Sequence, residues 1–181
     1  MPHICPWWGG YFIDNPLRRL IHNPGKILAP YVLPGMTVMD VGCGMGLFSI
    51  AAAKIVGDRG LVIAVDLQQR MLDVLWRRAV AAGVANRIRV HKCGADRLGV
   101  ETQVDFALAT MVVHEVPDQR RLLGEIRKCL KRGGNFLLAE PKIHVPGSAF
   151  AETVALAKDV GLKVVEEPRM RCCRAAVFVR G

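Results

Sequence analysis

The sequence predicts an α/β fold built on a doubly wound, mostly parallel sheet of seven strands. Short apolar, β-branched runs alternate with helix-length segments from residue 37 onward. The first run ends in a glycine-rich loop, and the last two runs follow each other with no helix-length stretch between them. Because parallel neighbours need crossover connections, which are usually helical, the alternation predicts a parallel sheet covered on both faces. The last two runs predict an antiparallel C-terminal hairpin at the edge of the sheet.

The hydrophobic pattern also sets the expected bounds of each element. We expect strands at residues 37–41, 61–66, 88–91, 104–109, 135–139, 163–166 and 175–179, and helices at residues 47–55, 69–82, 119–130 and 149–160. A turn over residues 131–134 joins the third helix to the fifth strand. Ligands of such sheets bind beyond the carboxyl ends of the strands, where the strand order reverses, so the loops after the strands are the candidate site.

Length, composition and net charge limit the classes of protein to which this sequence can belong. At 181 residues and 51% hydrophobic, the chain can bury a core of its own. We divide it into a proline-rich segment, residues 1–35, and one domain, residues 36–181. The 25 Lys and Arg against 16 Asp and Glu give a net charge of +9, which attracts anionic partners. The positive charges are scattered through the predicted helices, which favours a solvated basic surface over a nucleic-acid interface.

The spacing of the cysteines and the length of the apolar runs indicate the cellular compartment of the protein. The six cysteines show no paired C-x-x-C spacing, so we expect reduced thiols and no metal site. No N-terminal segment has the pattern of a secretory signal, and no apolar run reaches the ~18 residues needed to span a membrane. These observations predict a cytoplasmic protein.

The loop after the first strand is the main candidate binding motif. It reads Asp40-Val41-Gly42-Cys43-Gly44-Met45-Gly46, and its glycines let the backbone turn sharply and a ligand approach the N–H groups. The second strand ends about twenty residues later in Asp66, where a carboxylate can accept both hydroxyls of a ribose. The spacing G-x-G-x-G differs from the G-x-G-x-x-G of dinucleotide folds, and no phosphate-binding G-x-x-x-x-G-K-[ST] occurs, so a nucleoside without phosphates is favoured. The alternatives are a plain tight turn and an aspartate that only begins a helix.

From about Thr37 to the C-terminus, the sequence resembles the class I S-adenosylmethionine-dependent methyltransferases. The matching segments are Val38 to Gly46, Val65-Asp66, Gly94-Ala95-Asp96, Val104 to Ala107 and Leu130 to Gly134. The string His114-Glu115-Val116-Pro117-Asp118 resembles small-molecule members, including the quinone-biosynthesis methyltransferases. The resemblance implies a Rossmann-like methyltransferase fold with S-adenosylmethionine as cofactor and S-adenosylhomocysteine as product.

The resemblance also implies a role for each matching position. The glycine loop, with Gly42, Cys43, Gly44 and Gly46, would hold the methionine end of the cofactor, Asp40 would help to hold its amino group, and Asp66 would bind the ribose. Leu67 and Met71 would wall the adenine, and Asp96, which follows Ala95, would lie near the adenine amino group. Thr110 and Met111 would border the methionine end. Asp96 has the alternative role of a turn cap.

The acceptor side of the site is less specific in sequence. Methyl transfer from a sulfonium is an in-line displacement, so a general base is needed only when the acceptor carries a proton. The candidate bases are His114, His144 and Glu140, and the alternative is that both histidines are ordinary loop residues. The segment Ala109-Thr110-Met111-Val112 lacks both the Asn/Asp-Pro-Pro-aromatic tetrad and the Pro-Cys pair of base-modifying methyltransferases.

The favoured hypothesis is therefore an enzyme that methylates a small molecule. The net charge keeps an RNA or protein methyltransferase as a rival, and the short N-terminal segment keeps a cofactor-binding module without turnover as another. A dinucleotide-binding oxidoreductase is disfavoured by the glycine spacing.

The roles of two further sequence features stay open. Trp7, Trp8, Tyr11 and Phe12 form either a lid over the substrate or simple packing, and Cys172-Cys173 would suit a soft metalloid only with further cysteines.

Overall fold

A seven-stranded sheet is the middle layer of the computed structural model, which describes residues 23–181. Its strands are β1 Thr37–Val41, β2 Leu61–Asp66, β3 Ile88–Lys92, β4 Val104–Thr110, β5 Leu130–Pro141, β6 Leu162–Glu166 and β7 Cys173–Arg180. They lie in the order β3-β2-β1-β4-β5-β7-β6. The first five are parallel, while β7 pairs antiparallel with both β5 and β6. The predicted fold class and the C-terminal hairpin are confirmed, with β7 placed inside the sheet and β6 at its edge.

Helices cover both faces of the sheet. They are α1 Pro24–Leu28, α2 Leu47–Val56, α3 Gln69–Ala81, α4 Gln119–Cys129 and α5 Gly147–Asp159. The first three bury their apolar side chains against one face, and α4 and α5 bury theirs against the other. Since successive strand residues point to opposite faces, Val38 packs with the first group and Met39 with the second. None of the helices within residues 23–181 is long and apolar enough to cross a membrane.

The junction between α4 and β5 differs from the predicted turn. The helix ends at Cys129, and Leu130 already pairs with Val104. The next registered pair is Phe106 with Asn135, so residues 131–134 bulge out of a strand that continues on both sides. The bulge is held at its base because Lys131 Nζ donates to Asp105 Oδ1 over 2.6 Å. From the sequence pattern alone, such a bulge is predicted to be a turn.

Part of the predicted N-terminal segment belongs to the core. Leu28 and Val32 are buried in the same cluster as α2 and α3. Tyr31 stacks on Phe106 with ring centroids 5.9 Å apart, and its hydroxyl donates to Glu166 over 2.9 Å. Burial and the bond to Glu166 raise the pKa of Tyr31 to about 12. The aromatic residues on which the lid prediction depends, at positions 7 to 12, lie outside the described residues.

We expect Asp118→Ala to lower the free energy of unfolding by about 1 kcal/mol. Asp118 is the N-cap of α4, and its carboxylate accepts a hydrogen bond from the backbone N–H of Arg121 over 2.9 Å. Alanine leaves that N–H group without its side-chain partner. Urea unfolding of the two proteins measures the difference, and Asp118→Ser, which keeps a capping oxygen, should recover most of it. Equal loss in the alanine and serine variants would contradict the capping role.

Candidate active site

A large cavity opens where the strand order reverses. The chain adds β2 and β3 on one side of β1 and then crosses to β4 on the other side, so the loops after β1 and β4 diverge. The cavity between them has a volume of about 1100 Å³. That volume is slightly above the range of roughly 300–1,000 Å³ for ligand pockets, so a nucleoside and a second small molecule can fit together.

The glycine loop forms one wall of this cavity and needs its glycines for different reasons. Gly42 has φ of 67°, and a Cβ there would lie 2.4 Å from a methyl carbon of Val112. Gly46 has φ of 88°, and a Cβ there would lie 2.7 Å from Leu75 Cγ, beneath the loop and outside the cavity lining. At Gly44 a Cβ would meet nothing within 4 Å. The backbone of Gly44 is therefore open to a ligand, while Gly42 and Gly46 allow close packing.

Asp66 ends β2 next to the glycine loop. Its Oδ2 accepts the N–H of Gly44 over 2.9 Å, and its Oδ1 accepts the N–H of Gln68 over 2.8 Å. Burial raises the pKa of Asp66 above its ordinary value of 3.8, while the hydrogen bonds from the backbone N–H groups of Gln68, Gly44 and Leu67 lower it. The two carboxylate oxygens have four lone pairs together, so the side chain can still accept a hydrogen bond from a ligand in the cavity.

Two buried side chains stabilise the start of the loop. Asp40 is 1% exposed, and its Oδ2 accepts the hydroxyl of Ser49 over 2.5 Å. Cys43 is buried as well, and burial together with the charges of Asp40 and Asp66 raises the pKa of its thiol well above the ordinary value. A thiol in that environment stays protonated, so Cys43 acts as a small packing residue here and not as a nucleophile.

The predicted adenine-side residues line the other end of the cavity. Leu67, Met71 and Ala95 all contribute to its wall, and Met71 is buried. Asp96 lines the cavity too, but its side chain is 75% exposed and lies 3.9 Å from a guanidinium nitrogen of Arg121. Its carboxylate is thus at the rim, where solvent competes for it.

The loop after β4 forms the opposite wall. Thr110 and Met111 line the cavity, and the N–H of Met111 donates to the carbonyl of Ala139 over 2.7 Å. Met111 has φ of 59°, a left-handed conformation that a non-glycine residue adopts at a cost of about 1–2 kcal/mol. This turn directs the next residue, Val112, onto Gly42. The loop after β4 and the glycine loop are therefore in direct contact.

Both candidate histidines lie in the cavity wall and stack on each other. The rings of His114 and His144 have centroids 6.2 Å apart and an interplanar angle of 4°. His114 Nδ1 lies 2.5 Å from Oε2 of Glu140, which is 1% exposed. The hydrogen bond that His114 donates to Glu140 raises the pKa of His114 above 6.5, although burial lowers it. All three candidate bases from the sequence thus form one cluster at this end of the cavity.

All the residues that the sequence predicted to bind the cofactor line this cavity, with the exception of Gly46. Gly46 lies against Leu75, outside the cavity lining. The roles of these residues are not tested and stay predictions. Sequence reasoning missed the hydrogen bonds of Ser49 and Gln68 and the contact of Val112 with Gly42. Ser49 carries a hydroxyl on the helix that follows the glycine loop, so a signal for its bond to Asp40 existed. Gln68 donates its backbone N–H, which every residue but proline carries, so its residue type gave no signal. The contact of Val112 with Gly42 had none, because it depends on the turn at Met111.

Comparisons with known proteins agree with this geometry. A family model described as a methyltransferase domain matches residues 38–134. The ubiquinone biosynthesis O-methyltransferase of Xanthomonas campestris is 30% identical over 138 residues, which are 74% of this chain and 55% of that protein. The demethylmenaquinone methyltransferase of Bacillus cereus is 28% identical over 109 residues, which are 60% of this chain and 46% of that protein. The crystal structure of a SAM-dependent methyltransferase from Aquifex aeolicus matches with a TM-score of 0.87 and 22% identity, over 98% of this chain and 100% of that chain.

The fold and the glycine-loop cavity thus define a class I methyltransferase-type domain. The chain belongs to the methyltransferase-domain family, since the family model covers more than half of it. The resemblance predicted from the sequence is confirmed. The chain spans about half the length of the curated relatives it matches. The likeness to the Aquifex structure confirms the Rossmann-like fold.

Proposed function

We propose that this chain binds S-adenosylmethionine and transfers its methyl group to a small-molecule acceptor. The observation that carries the proposal is the position of Asp66. Its carboxylate is fixed by two backbone N–H groups, one of them from the glycine loop, and it faces the same cavity as that loop. A ribose needs a carboxylate with spare lone pairs at such a position.

The residues present fit the cofactor. The open space above Gly44 lets a ligand contact the loop backbone, which a side chain would prevent. Asp66 would accept the ribose hydroxyls, and Leu67 and Met71 would pack on the adenine. Asp40, held by Ser49, would support the amino end. When bound, the cofactor supplies an electrophilic methyl carbon on a sulfonium, and the chain has to align it with the acceptor.

The acceptor end of the cavity supports a small molecule with an apolar body. Phe48, Met111 and Val116 line the same cavity as the two histidines, and so does Ile143, which is 87% exposed. The named relatives act in ubiquinone and menaquinone formation, one as an O-methyltransferase, which is consistent with such an acceptor. We also propose that the N-terminal segment, residues 1–35, acts as a lid over the substrate through Trp7, Trp8, Tyr11 and Phe12, and that the protein acts in the cytoplasm.

The test is turnover with a defined panel of acceptors. The protein is incubated with methyl-labelled S-adenosylmethionine and hydroxylated aromatics, thiols or amines, and S-adenosylhomocysteine is measured by mass spectrometry. We expect acceptor-dependent product from at least one small molecule, and roughly 100-fold less from Asp66→Ala when the cofactor is far below saturation. Label found only in added RNA or protein would contradict the small-molecule assignment. Tight cofactor binding without product from any acceptor class would favour the binding module.

A further inference from the structure

Glu140 is a buried carboxylate surrounded by hydrogen-bond donors. Its Oε1 accepts the backbone N–H of Val113 over 2.8 Å and that of His114 over 3.3 Å. Its Oε2 lies 2.5 Å from His114 Nδ1. An ionised carboxylate that is 1% exposed is costly unless such donors compensate it. The backbone N–H groups of Val113 and His114 occupy Oε1, which leaves Oε2 to face the His114 ring.

An ionised carboxylate fixes the state of the imidazole beside it. Because a carboxylate only accepts hydrogen bonds, His114 Nδ1 has to carry a proton. In the neutral ring the lone pair then resides on Nε2. Among residues 23–181, no hydrogen bond to Nε2 is present, and the His114 side chain lines the cavity with 26% of its surface exposed.

We propose that Glu140 is a positioning residue that holds His114 as the Nδ1–H tautomer, so that Nε2 takes the proton of a hydroxyl-bearing acceptor. This inference rests on the proposed methyl transfer and specifies its acceptor as one that loses an O–H proton, as a phenol or enol does. Glu140 also holds the backbone of residues 113 and 114, next to the Val112 that packs on Gly42. The same carboxylate therefore orients the base and fixes the wall that faces the cofactor loop.

The step is balanced in atoms and charge. The acceptor O–H bond breaks, its proton moves to His114 Nε2, and an oxygen lone pair forms the O–CH₃ bond while the S–CH₃ electron pair stays on sulfur. The imidazolium that results is paired with the Glu140 carboxylate. It returns its proton to solvent through the open side of the cavity.

The surroundings of the ring set the expected pH dependence. The titratable groups around it are Glu115 in its own turn, Glu140 near the end of β5, and His144 in the loop that follows β5. The hydrogen bond that His114 donates to Glu140 raises the pKa of His114, burial lowers it, and the charges of Glu140 and Glu115 raise it further. Since only the neutral ring is a base, the acid limb of the rate should lie above pH 6.5, the ordinary value.

The decisive experiment is ¹⁵N NMR of the histidine rings, which needs no acceptor. Ring-labelled protein is titrated, and His114 is assigned by comparison with His114→Gln. We expect a raised pKa and, above it, an Nδ1–H ring with an unprotonated Nε2. In Glu140→Gln the pKa of His114 should fall, because the hydrogen bond and the negative charge that raise it are lost, and the two tautomers should mix. Glu115→Gln is the matched control, because it removes a nearby negative charge and should keep the Nδ1–H tautomer.

Activity then tests the consequence for catalysis. With the acceptor found in the panel, His114→Gln should lose roughly 10²–10⁴-fold in kcat. Glu140→Gln should also lose activity, and its acid limb should move to lower pH. An Nε2–H tautomer in the unmodified protein would overturn the proposal even if Glu140→Gln failed to fold. An unchanged acid limb in a folded Glu140→Gln would overturn it too. Failure of cofactor binding would instead count against the proposed function, because the NMR result does not depend on it.

Discussion

Replacing Asp66 with alanine is expected to weaken S-adenosylmethionine binding by about 3 kcal/mol, roughly 100-fold. The substitution removes the carboxylate that would accept the ribose hydroxyls through charge-assisted hydrogen bonds. It also frees the N–H groups of Gly44 and Gln68, which that carboxylate now holds. The glycine loop then loses one of its attachments to the end of β2 and keeps the hydrogen bonds from Gly42 and Cys43 to the carbonyl of Val65. Both effects act in the same direction, so this is the largest binding effect we expect from any single cavity residue.

Calorimetric titration of the two proteins measures this loss. Asp66→Asn keeps one accepting oxygen, so its cofactor affinity should lie between those of the unmodified protein and Asp66→Ala. Asp58→Ala is the control for the removal of one negative charge, because Asp58 is largely exposed and pairs with Arg87 away from the cavity. Its affinity should equal that of the unmodified protein. Equal affinities for Asp66→Ala and the unmodified protein would refute the ribose role.

Replacing Gly42 with alanine is expected to lower the free energy of unfolding by about 2–4 kcal/mol. The residue has φ of 67°, and the new methyl group would lie 2.4 Å from Val112 Cγ2 and 2.7 Å from its Cβ. Those atoms belong to a β-branched side chain with little rotational freedom, so the loop after β4 has to move. Cofactor affinity should fall together with stability, because the two walls of the cavity separate.

Gly44→Ala separates the loss of folding stability from the loss of cofactor affinity. Gly44 has φ of 52°, and a Cβ there meets nothing within 4 Å, so only the backbone strain of about 1–2 kcal/mol opposes folding. The methyl group projects into the space that a ligand would occupy. We expect this variant to remain folded in urea titrations and still lose cofactor affinity. If Gly44→Ala were less stable than Gly42→Ala, the account of the loop would be wrong.

Much of this site could be predicted because its parts are local in sequence. The strand, glycine loop and helix from Thr37 to Val56 are contiguous, and Asp66 ends the next apolar run. Periodicity and turn chemistry act over these short distances. The edge hairpin was predictable for the same reason, since only a short connection separates β6 from β7.

The remaining features depend on register and on specific turns. The pairing of Thr110 with Ala139 brings the residues that follow β4 close to Glu140, and the hydrogen bond joins residues 26 positions apart. The sequence shows an acid, Glu140, at the end of the apolar run of β5, but it does not show that His114 is the partner of this acid. The bulge at residues 131–134 likewise depends on how β5 pairs with β4. Single-sequence patterns carry no information about such register.

The most direct test of the central claim is calorimetric titration of the protein with S-adenosylmethionine and S-adenosylhomocysteine, with NAD as the control ligand. The arrangement of the glycine loop and Asp66 predicts one site per chain for each of the first two and no heat of binding from NAD. Tight binding of NAD, or no binding of either adenosyl ligand to the folded protein, would contradict it.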